Sequence, residues 1–538
     1  MAAERPIPIH TNLNDLYQNL GISLNHAVRW NDLAEEFEKR FGRKPTYIAR
    51  APGRVKFLVV FHGPNDLDWL IISFEQGEHI DYALFGVLPA AIERDILIAC
   101  APRPVPPSSV TKMAQQTPGI VVAENLQTKY TRQSFCPARK PSSSQEIGED
   151  KVHVEGWELD INTKELRWES YVKAGYYGVL NKYFPPSDFS GSPVPVDLLF
   201  TGTVPAGSGL SSSAAMVVAS TLAFLAVNGK LDNQSSTSLT KGDLVRIAVE
   251  NEKRVGVNSG GMDQAASVIS DASSALYISF FPKLEATPVP LPSGSIFVCA
   301  NSLVVSDKAV TAKRNYNLRV VETLAGARIL ARTLGISVGE KERITFREVI
   351  GRLLGEQQEQ ELAIDALQRG LERMGQEVEV LRPKGVPDDG QLGVTMQEMV
   401  VMSGLSEEAF HDVYLSWVEV EATHFQLYKR AKHVYAEALR VLQFRQTCLE
   451  ATDTAALERL GHELTQLARK AGAYGSRLTG AGWGGCTVSL VAEDKVVSFI
   501  DQIKNSYAPY KGLEGEALNE VIFATKPSSG ACIYKFSG

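Results

Sequence analysis

The chain has 538 residues, more than one hydrophobic core usually serves, so its length predicts two domains. A hydrophobic content of 44% and a charged content of 22% are those of an ordinary soluble protein. The formal net charge of -7 gives no electrostatic reason to expect nucleic acid or an anionic membrane as a partner. The 6 cysteines are far apart and form no Cys-x-x-Cys pair, which argues against a disulfide framework or a zinc site. Because the N-terminus also lacks the basic and apolar blocks of a secretory signal, we expect a cytoplasmic protein.

Helical and strand patterns are mixed in the first 300 residues. In chain order they predict a helix at 33–42, a strand at 46–55 that enters a Pro-Gly-Arg turn, strands at 95–102 and 195–205, a buried helix at 214–230 and a helix that ends at 256. Gly42 is expected to be the C-cap of the first helix.

The second half of the chain is mainly helical. After strands at 275–282 and 295–304, residues 317–382 have a strongly helical and charged pattern, and residues 479–492 form a glycine-rich loop that leads into a strand. We interpret the charge run of the helical part as a solvated helix face rather than a binding surface. The whole pattern predicts an α+β protein.

A loop rich in glycine and serine lies between a strand and the buried helix. Its sequence, "PAGSGLSSSAAMVVAS", offers a close backbone approach, unpaired amides at a helix N-terminus and several hydroxyls, which together suit a triphosphate. A flexible turn with one serine N-cap is the alternative, but it accounts for a single serine. No Gly-Lys-Ser/Thr follows, so the loop is not a Walker A motif. The residues expected to bind nucleotide are Gly207, Ser208, Gly209, Ser211, Ser212 and Ser213.

Three separated motifs resemble the GHMP kinases. "PAGSGLSSSAA" resembles the phosphate-binding motif of that superfamily, "VGVNSGGMDQAAS" the segment with the catalytic aspartate, and "LTGAGWGGCTV" its third motif. "GEHIDYALFGVLPAAIERDI" and "NYNLRVVE" narrow the resemblance to the galactokinases of the longer eukaryotic type.

The resemblance implies a two-domain GHMP kinase fold with the active site in the cleft between the domains. The N-terminal α/β domain, similar to ribosomal protein S5 domain 2, is expected at 1–300, and a ferredoxin-like domain with added helices is expected at 301–538. ATP would be the co-substrate and Mg²⁺ the metal. The implied reaction is ATP-dependent phosphorylation of the C1 hydroxyl of galactose.

The resemblance also assigns roles to single residues. Asp263 matches the catalytic carboxylate, and Arg54 matches the arginine that would keep it ionised and stabilise the migrating phosphoryl group. Ser213 and Glu252 match the Mg²⁺ ligands of the family. One hydroxyl, one carboxylate and the ATP phosphates suffice for this ion, which prefers hard oxygens. The residues assigned to the sugar are Glu78, His79, Asp81, Gly260 and Tyr316.

Residues 57–76 depart from the family pattern. The galactokinase signature has only Asn-Leu-Ile between Gly-Arg-Val and Gly-Glu-His, whereas this chain has a long apolar segment that includes "FLVVF" and "WLIISF". Such β-prone stretches are unlike a solvated loop. We interpret the insert as a retained intron. Sequencing the transcript tests this, because a message that encodes residues 57–76 without interruption would remove the interpretation.

Two other functions share these motifs. An N-acetylgalactosamine kinase would differ in its preferred sugar, and a sugar- and ATP-sensing transcriptional co-inducer would bind a regulatory protein partner. The complete "GLSSSAA" loop favours catalysis, and a regulatory role in addition is left open.

Overall fold

The structure is a computed structural model. It describes residues 2–15, 20–56, 79–104, 118–140, 156–163, 165, 167–185, 191–231, 239–291, 294–303, 311–357, 360–383, 393–450, 468, 471–480 and 485–536. The insert at 57–76 and the predicted sugar ligand Glu78 lie outside these residues.

The described part of the chain contains both strands and helices, as the α+β expectation requires. The strands are β1 (Ile9–His10), β2 (Tyr47–Lys56), β3 (Pro89–Pro102), β4 (Val121–Asn125), β5 (Gln133–Phe135), β6 (Ala138–Arg139), β7 (Trp157–Glu158), β8 (Val196–Gly202), β9 (Ser274–Ser279), β10 (Glu285–Pro290), β11 (Ser295–Asn301), β12 (Val394–Thr395), β13 (His424–Phe425), β14 (Gly475–Leu478), β15 (Cys486–Ala492), β16 (Ile522–Thr525) and β17 (Cys532–Lys535). The α-helices are α1 (Leu20–Phe41), α2 (Trp168–Tyr183), α3 (Ser212–Val227), α4 (Lys241–Glu252), α5 (Met262–Ile269), α6 (Tyr316–Thr333), α7 (Phe346–Leu353), α8 (Ile364–Glu377), α9 (Met396–Ser403), α10 (Glu407–Tyr414), α11 (Leu427–Glu450), α12 (Val496–Ser506) and α13 (Gly515–Val521).

A seven-stranded sheet contains β2, the strand that includes Arg54. Its order is β1-β17-β2-β3-β8-β4-β5, so a strand from the C-terminal end of the chain pairs with β2. The predicted turn at Pro-Gly-Arg is wrong, because β2 runs on through these residues with a register shift between Pro52 and Arg54. The backbone N–H of Arg54 donates to the carbonyl of Leu210 at 3.1 Å, which pins this bulge against the serine loop.

Helix α3 lies directly beneath the serine loop. Its sequence is apolar on all sides, which is typical of a helix surrounded by protein, and most of its residues are fully buried. It packs against β2, β3 and α2. The loop that precedes α3 therefore starts from a rigid base in the core.

The second sheet is antiparallel, with the order β14-β15-β11-β16. Helices α6 to α8 confirm the helical prediction for residues 317–382. The Gly42 cap is also confirmed, because Gly42 follows α1 with a φ of 71° and its N–H donates to the Glu38 carbonyl at 2.8 Å. Among the described residues, no helix combines the length and the apolar character that crossing a bilayer requires.

Candidate active site

A cavity of 1360 Å³ brings most of the predicted site residues together. We call it the active-site cavity. Its lining includes Arg54, His79, Asp81, Gly207, Gly209, Ser211, Ser212, Ser213, Glu252, Asp263 and Tyr316. These residues come from stretches of sequence up to about 260 positions apart, so the cavity is a product of the fold and not of local spacing.

Arg54 and Asp263 form an ion pair in the wall of the cavity. Arg54 Nε donates to Asp263 Oδ1 at 2.8 Å, and Arg54 Nη2 lies 2.7 Å from the same oxygen. Arg54 Nη1 donates to the carbonyl of Gly209 at 2.7 Å. The arginine side chain is 2% exposed and the aspartate side chain 14%, so the pair is shielded from solvent while the carboxylate still faces the cavity. One guanidinium thus connects the acidic residue to the serine loop.

Asp81 lies beside this pair and is held by the start of α5. The backbone N–H of Met262 donates to Asp81 Oδ2 at 3.4 Å. Burial raises the pKa of the Asp81 carboxyl, and the nearby Asp263 carboxylate raises it further.

Gly260 does not line the cavity but supports the Asp81 backbone. A Cβ at position 260 would lie 2.3 Å from Tyr82 N and 2.6 Å from Asp81 Cγ. Only a residue without a side chain allows the two segments to come this close.

Three rings form one wall beside Asp81. The His79 ring lies 5.0 Å from the Tyr316 ring and 5.8 Å from the Tyr82 ring, and the two tyrosine rings meet edge to face at 5.5 Å. Burial, and then the neighbouring Asp81 carboxylate, raise the pKa of the Tyr316 phenol, so it stays a neutral donor. Tyr82 was not among the predicted site residues, although it stands in the same "GEHIDY" stretch.

The serine loop has the backbone shape of an anion site. Gly209 has a φ of 77°, and Ser211, the residue before α3, has a φ of 61°, which an L-residue rarely adopts. This strained turn leads directly into the first residues of α3, Ser212 and Ser213, which line the cavity, so the helix begins at the cavity wall. Ser208 differs from the prediction, because it is buried, does not line the cavity and donates through Oγ to the Pro205 carbonyl at 2.7 Å.

Gly480 and Gly485, which flank residues outside the described part of the glycine-rich stretch, pack against the serine loop. A Cβ on Gly480 would lie 2.6 Å from Gly209 Cα, and a Cβ on Gly485 would lie 2.5 Å from the Ser208 carbonyl oxygen. The Cys486 N–H donates to that same oxygen at 2.7 Å. The sequence showed this loop but not its contact, since its partner lies about 270 residues earlier.

Glu252 and Ser213 both face the cavity and offer hard oxygens. Gln264 Nε2 donates to Glu252 Oε2 at 2.6 Å, which fixes the orientation of this buried carboxylate. In the part of the chain that the structure describes, no cluster of three or more His, Cys, Asp or Glu side chains could hold a metal by itself. One carboxylate and one hydroxyl fit an ion that takes its other ligands from phosphate and water, as Mg²⁺ does.

Part of the cavity lining is aromatic and apolar, and we call this part its aromatic end. Its lining includes Trp168, Tyr171, Phe200 and Met216 from α2, β8 and α3. Sequence reasoning did not identify these residues, because aromatic residues in a helix or strand usually belong to the core. Aromatic and apolar side chains in the same cavity as the serine loop suit a flat heterocycle attached to phosphates.

Three family models match separate parts of the chain. The family model described as the GHMP kinases N terminal domain matches residues 170–271, the galactokinase galactose-binding signature matches 76–102, and the GHMP kinases C terminal model matches 437–509. A galactokinase of Dictyostelium discoideum is 33% identical, with 97% of this chain and 96% of that protein covered. A galactokinase of Saccharomyces cerevisiae is 31% identical, with 95% of each covered.

A solved structure shows the same fold. The Lactococcus lactis galactokinase complexed with galactose has a TM-score of 0.52 and 20% identity, and the match covers 93% of this chain and 99% of that one. Three family models in the expected order and relatives that span nearly the whole length leave one assignment. The chain belongs to the galactokinase family of the GHMP kinases.

Proposed function

We propose that the protein is a galactokinase that transfers the γ-phosphoryl group of ATP to the C1 hydroxyl of galactose. The observation that carries this proposal is the Arg54–Asp263 pair, which touches the serine loop on one side and adjoins Asp81 on the other. A phosphoryl group bound at the loop and a hydroxyl held beside Asp81 would meet next to one carboxylate. Family membership supports the same reaction.

The serine loop would bind the ATP phosphates. The amides at the start of α3 and the hydroxyls of Ser211, Ser212 and Ser213 present donors to them, and the macrodipole of α3 adds favourable charge. Gly207 and Gly209 would let the backbone approach the phosphates, and Ser208 would shape the loop from below. The base would lie at the aromatic end of the cavity.

Ser213 and Glu252 would hold Mg²⁺, which neutralises charge on the β- and γ-phosphates when it is bound. The sugar would be held by His79, Asp81 and Tyr316, with Gly260 keeping its segment close. Glu78 is proposed as a further sugar ligand from its place in the signature, and it lies outside the described residues.

Asp263 and Arg54 would act on the reacting groups. Asp263 would hold the C1 hydroxyl in line with the γ-phosphorus. As the new O–P bond forms, the bond to the β-γ bridging oxygen would break and release ADP, and the hydroxyl proton would pass to the Asp263 carboxylate or to water. Arg54 would balance the charge of Asp263 and of the migrating phosphoryl group. Burial of the pair limits access of water, which would otherwise compete as the acceptor.

The Asp263→Ala variant tests the assignment. It should lower kcat by more than about 100-fold while ATP binding is largely kept, because the Asp263 carboxylate would contact the sugar hydroxyl and not the adenine of ATP. The readout is ATP consumption in a coupled assay with galactose, together with nucleotide titration. Asp271→Ala, which removes an exposed aspartate just beyond α5, is the control and should keep wild-type turnover. Near-wild-type phosphorylation by Asp263→Ala would contradict the proposal.

The same assay separates the related functions. A higher kcat/KM for N-acetylgalactosamine than for galactose would reassign the sugar, and nucleotide and sugar binding without turnover would favour a sensing role. The cytoplasmic location, the division into residues 1–300 and 301–538, and a regulatory protein partner stay predictions.

A further inference from the structure

A buried group of charged side chains lies behind the ring wall of the active-site cavity. It consists of Arg319 and Glu322 on α6, Arg430 on α11 and the phenol of Tyr82, which lies within electrostatic range of all three. We call it the arginine cluster. Glu322 is fully buried and Arg430 is 2% exposed. The Tyr82 ring meets Tyr316, the first residue of α6, edge to face at 5.5 Å, so the cluster directly backs the proposed sugar site.

The carboxylate of Glu322 already accepts two hydrogen bonds. Arg319 Nη1 donates to Glu322 Oε2 at 2.6 Å, and the Gln426 backbone N–H donates to Glu322 Oε1 at 2.7 Å. Arg430 Nε lies 3.9 Å from Oε2, beyond hydrogen-bond distance. Glu322 therefore neutralises one guanidinium, and a second one remains.

Charges outside the cluster are balanced elsewhere. Asp263 pairs with Arg54. Asp81 lies within electrostatic range of Lys56, which lowers the pKa of the Asp81 carboxyl against the effect of burial. Among the described residues, the cluster thus has two guanidinium groups that share the single carboxylate of Glu322, which leaves one excess positive charge.

The unsatisfied atoms of the cluster are all able to donate. Arg430 Nε and Nη1, Arg319 Nε and the Tyr82 hydroxyl are buried and have no hydrogen-bond partner in the part of the chain that the structure describes. Buried donors without partners cost about 1–3 kcal/mol each, and an uncompensated buried charge costs more, so native proteins satisfy such groups with water or an ion. A site with hydrogen-bond donors and excess positive charge favours a ligand that only accepts hydrogen bonds. An anion is such a ligand, whereas a water molecule also donates.

We propose that the arginine cluster binds a small monovalent anion, chloride under ordinary conditions, between Arg430, Arg319 and Tyr82. Burial lowers the pKa of Arg430 to about 10, with the charge of Arg319 next in effect, which still leaves the guanidinium charged at neutral pH. The anion would supply the missing counter-charge and hold Tyr82 against Tyr316. It would thereby stabilise the wall of the sugar site without touching the sugar. This proposal concerns a site separate from the reaction, so it stands whether or not galactose is the acceptor.

Bromide replaces chloride and can be located directly. Crystals of the full chain grown with sodium bromide, with data collected at the bromine absorption edge, should show an anomalous peak between Arg430 and Tyr82. The absence of a peak there, with density that a water molecule accounts for, would overturn the proposal. This measurement needs no variant and does not depend on enzyme activity.

A thermal-shift series tests the same site in solution. Sodium chloride should raise the Tm of the wild-type protein by at least about 2 °C over sodium gluconate at equal ionic strength, because a ligand that binds only the native state stabilises it. Arg430→Gln should lose this difference. Arg373→Gln, which removes an exposed arginine on α8, is the matched control and should keep it. An equal chloride effect in wild type and Arg430→Gln would refute the proposal.

Discussion

Replacing Gly260 by alanine tests how the proposed sugar site is built. In the wild-type structure a Cβ at position 260 would lie 2.3 Å from Tyr82 N, 2.5 Å from the Asp81 carbonyl carbon and 2.6 Å from Asp81 Cγ, all below the 3.0 Å that real Cβ atoms essentially respect. Two of these atoms belong to the backbone, so no side-chain rotation relieves the overlap. The segment that carries His79 and Asp81 has to move.

The size of the effect follows from the cost of overpacking. Forcing a methyl group into a filled position costs about 1–3 kcal/mol. The displaced atoms belong to Asp81, which we propose binds the sugar. Most of this cost should therefore appear in galactose binding, as a rise of about 5- to 150-fold in the KM for galactose. The KM for ATP should change less, since the serine loop lies on the other side of the Arg54–Asp263 pair.

The assay is steady-state ATP consumption, with galactose varied at saturating ATP and then the reverse. Gly375→Ala is the control, because this glycine lies within α8 with no atom within 4 Å of an added Cβ, and alanine there should be neutral or slightly stabilising. If Gly260→Ala keeps the KM for galactose within about twofold of wild type, the close contact does not position the sugar ligand and the reasoning fails.

Two further changes test the connections around the site. Glu437, buried on α11, pairs with Arg477 and Arg440, and its Oε1 lies 3.1 Å from the Arg477 guanidinium. Burial alone would raise the pKa of the Glu437 carboxyl, but the surrounding positive charges, Arg477 first, lower it to about 2. The ionised Glu437 carboxylate therefore stabilises the fold above its unfolded pKa of 4.5, and this stabilisation is lost as the pH falls from 4.5 toward 2. Glu437→Gln should unfold at a lower Tm than wild type at pH 7 and lose part of the acid sensitivity of wild type. Identical melting curves for the two proteins between pH 2 and 7 would exclude this stabilising role. Gly480→Ala places a Cβ 2.6 Å from Gly209 Cα and should raise the KM for ATP by about 5- to 150-fold, measured at saturating galactose, whereas an unchanged value would show that this loop does not set the shape of the serine loop.

Local signals predicted much of the fold from the sequence. The Gly42 cap and the long apolar run of α3 depend on residues close together in the chain, and both were confirmed. The same holds for the existence of the serine loop, since glycine and serine between a strand and a helix favour a turn.

Features that depend on distant partners were missed or misjudged. Pro52 and Gly53 predicted a turn, but β2 continues through them as a bulge, because Leu210 accepts a hydrogen bond from Arg54 and a Cβ on Gly53 would lie 2.7 Å from the Leu210 oxygen. Nothing near Gly53 in the sequence reveals that neighbour. The aromatic end of the cavity was missed for a similar reason, since Trp168 has the sequence context of a core residue.

The position of Arg54 shows why motif and fold are both needed. Arg54 lies near the end of β2, and β2 pairs on one edge with β3 and on the other with β17, a strand about 480 residues later. Earlier on β2, Arg50 contacts the buried Asp95 through Nε at 2.6 Å and the Ser529 carbonyl through Nη1 at 2.9 Å. The residues that precede β17 thus fix the strand that carries the proposed phosphoryl-stabilising arginine. The Gly-Arg-Val motif identifies Arg54, but the distance from Arg54 to Asp263 is set by packing that only the folded chain supplies.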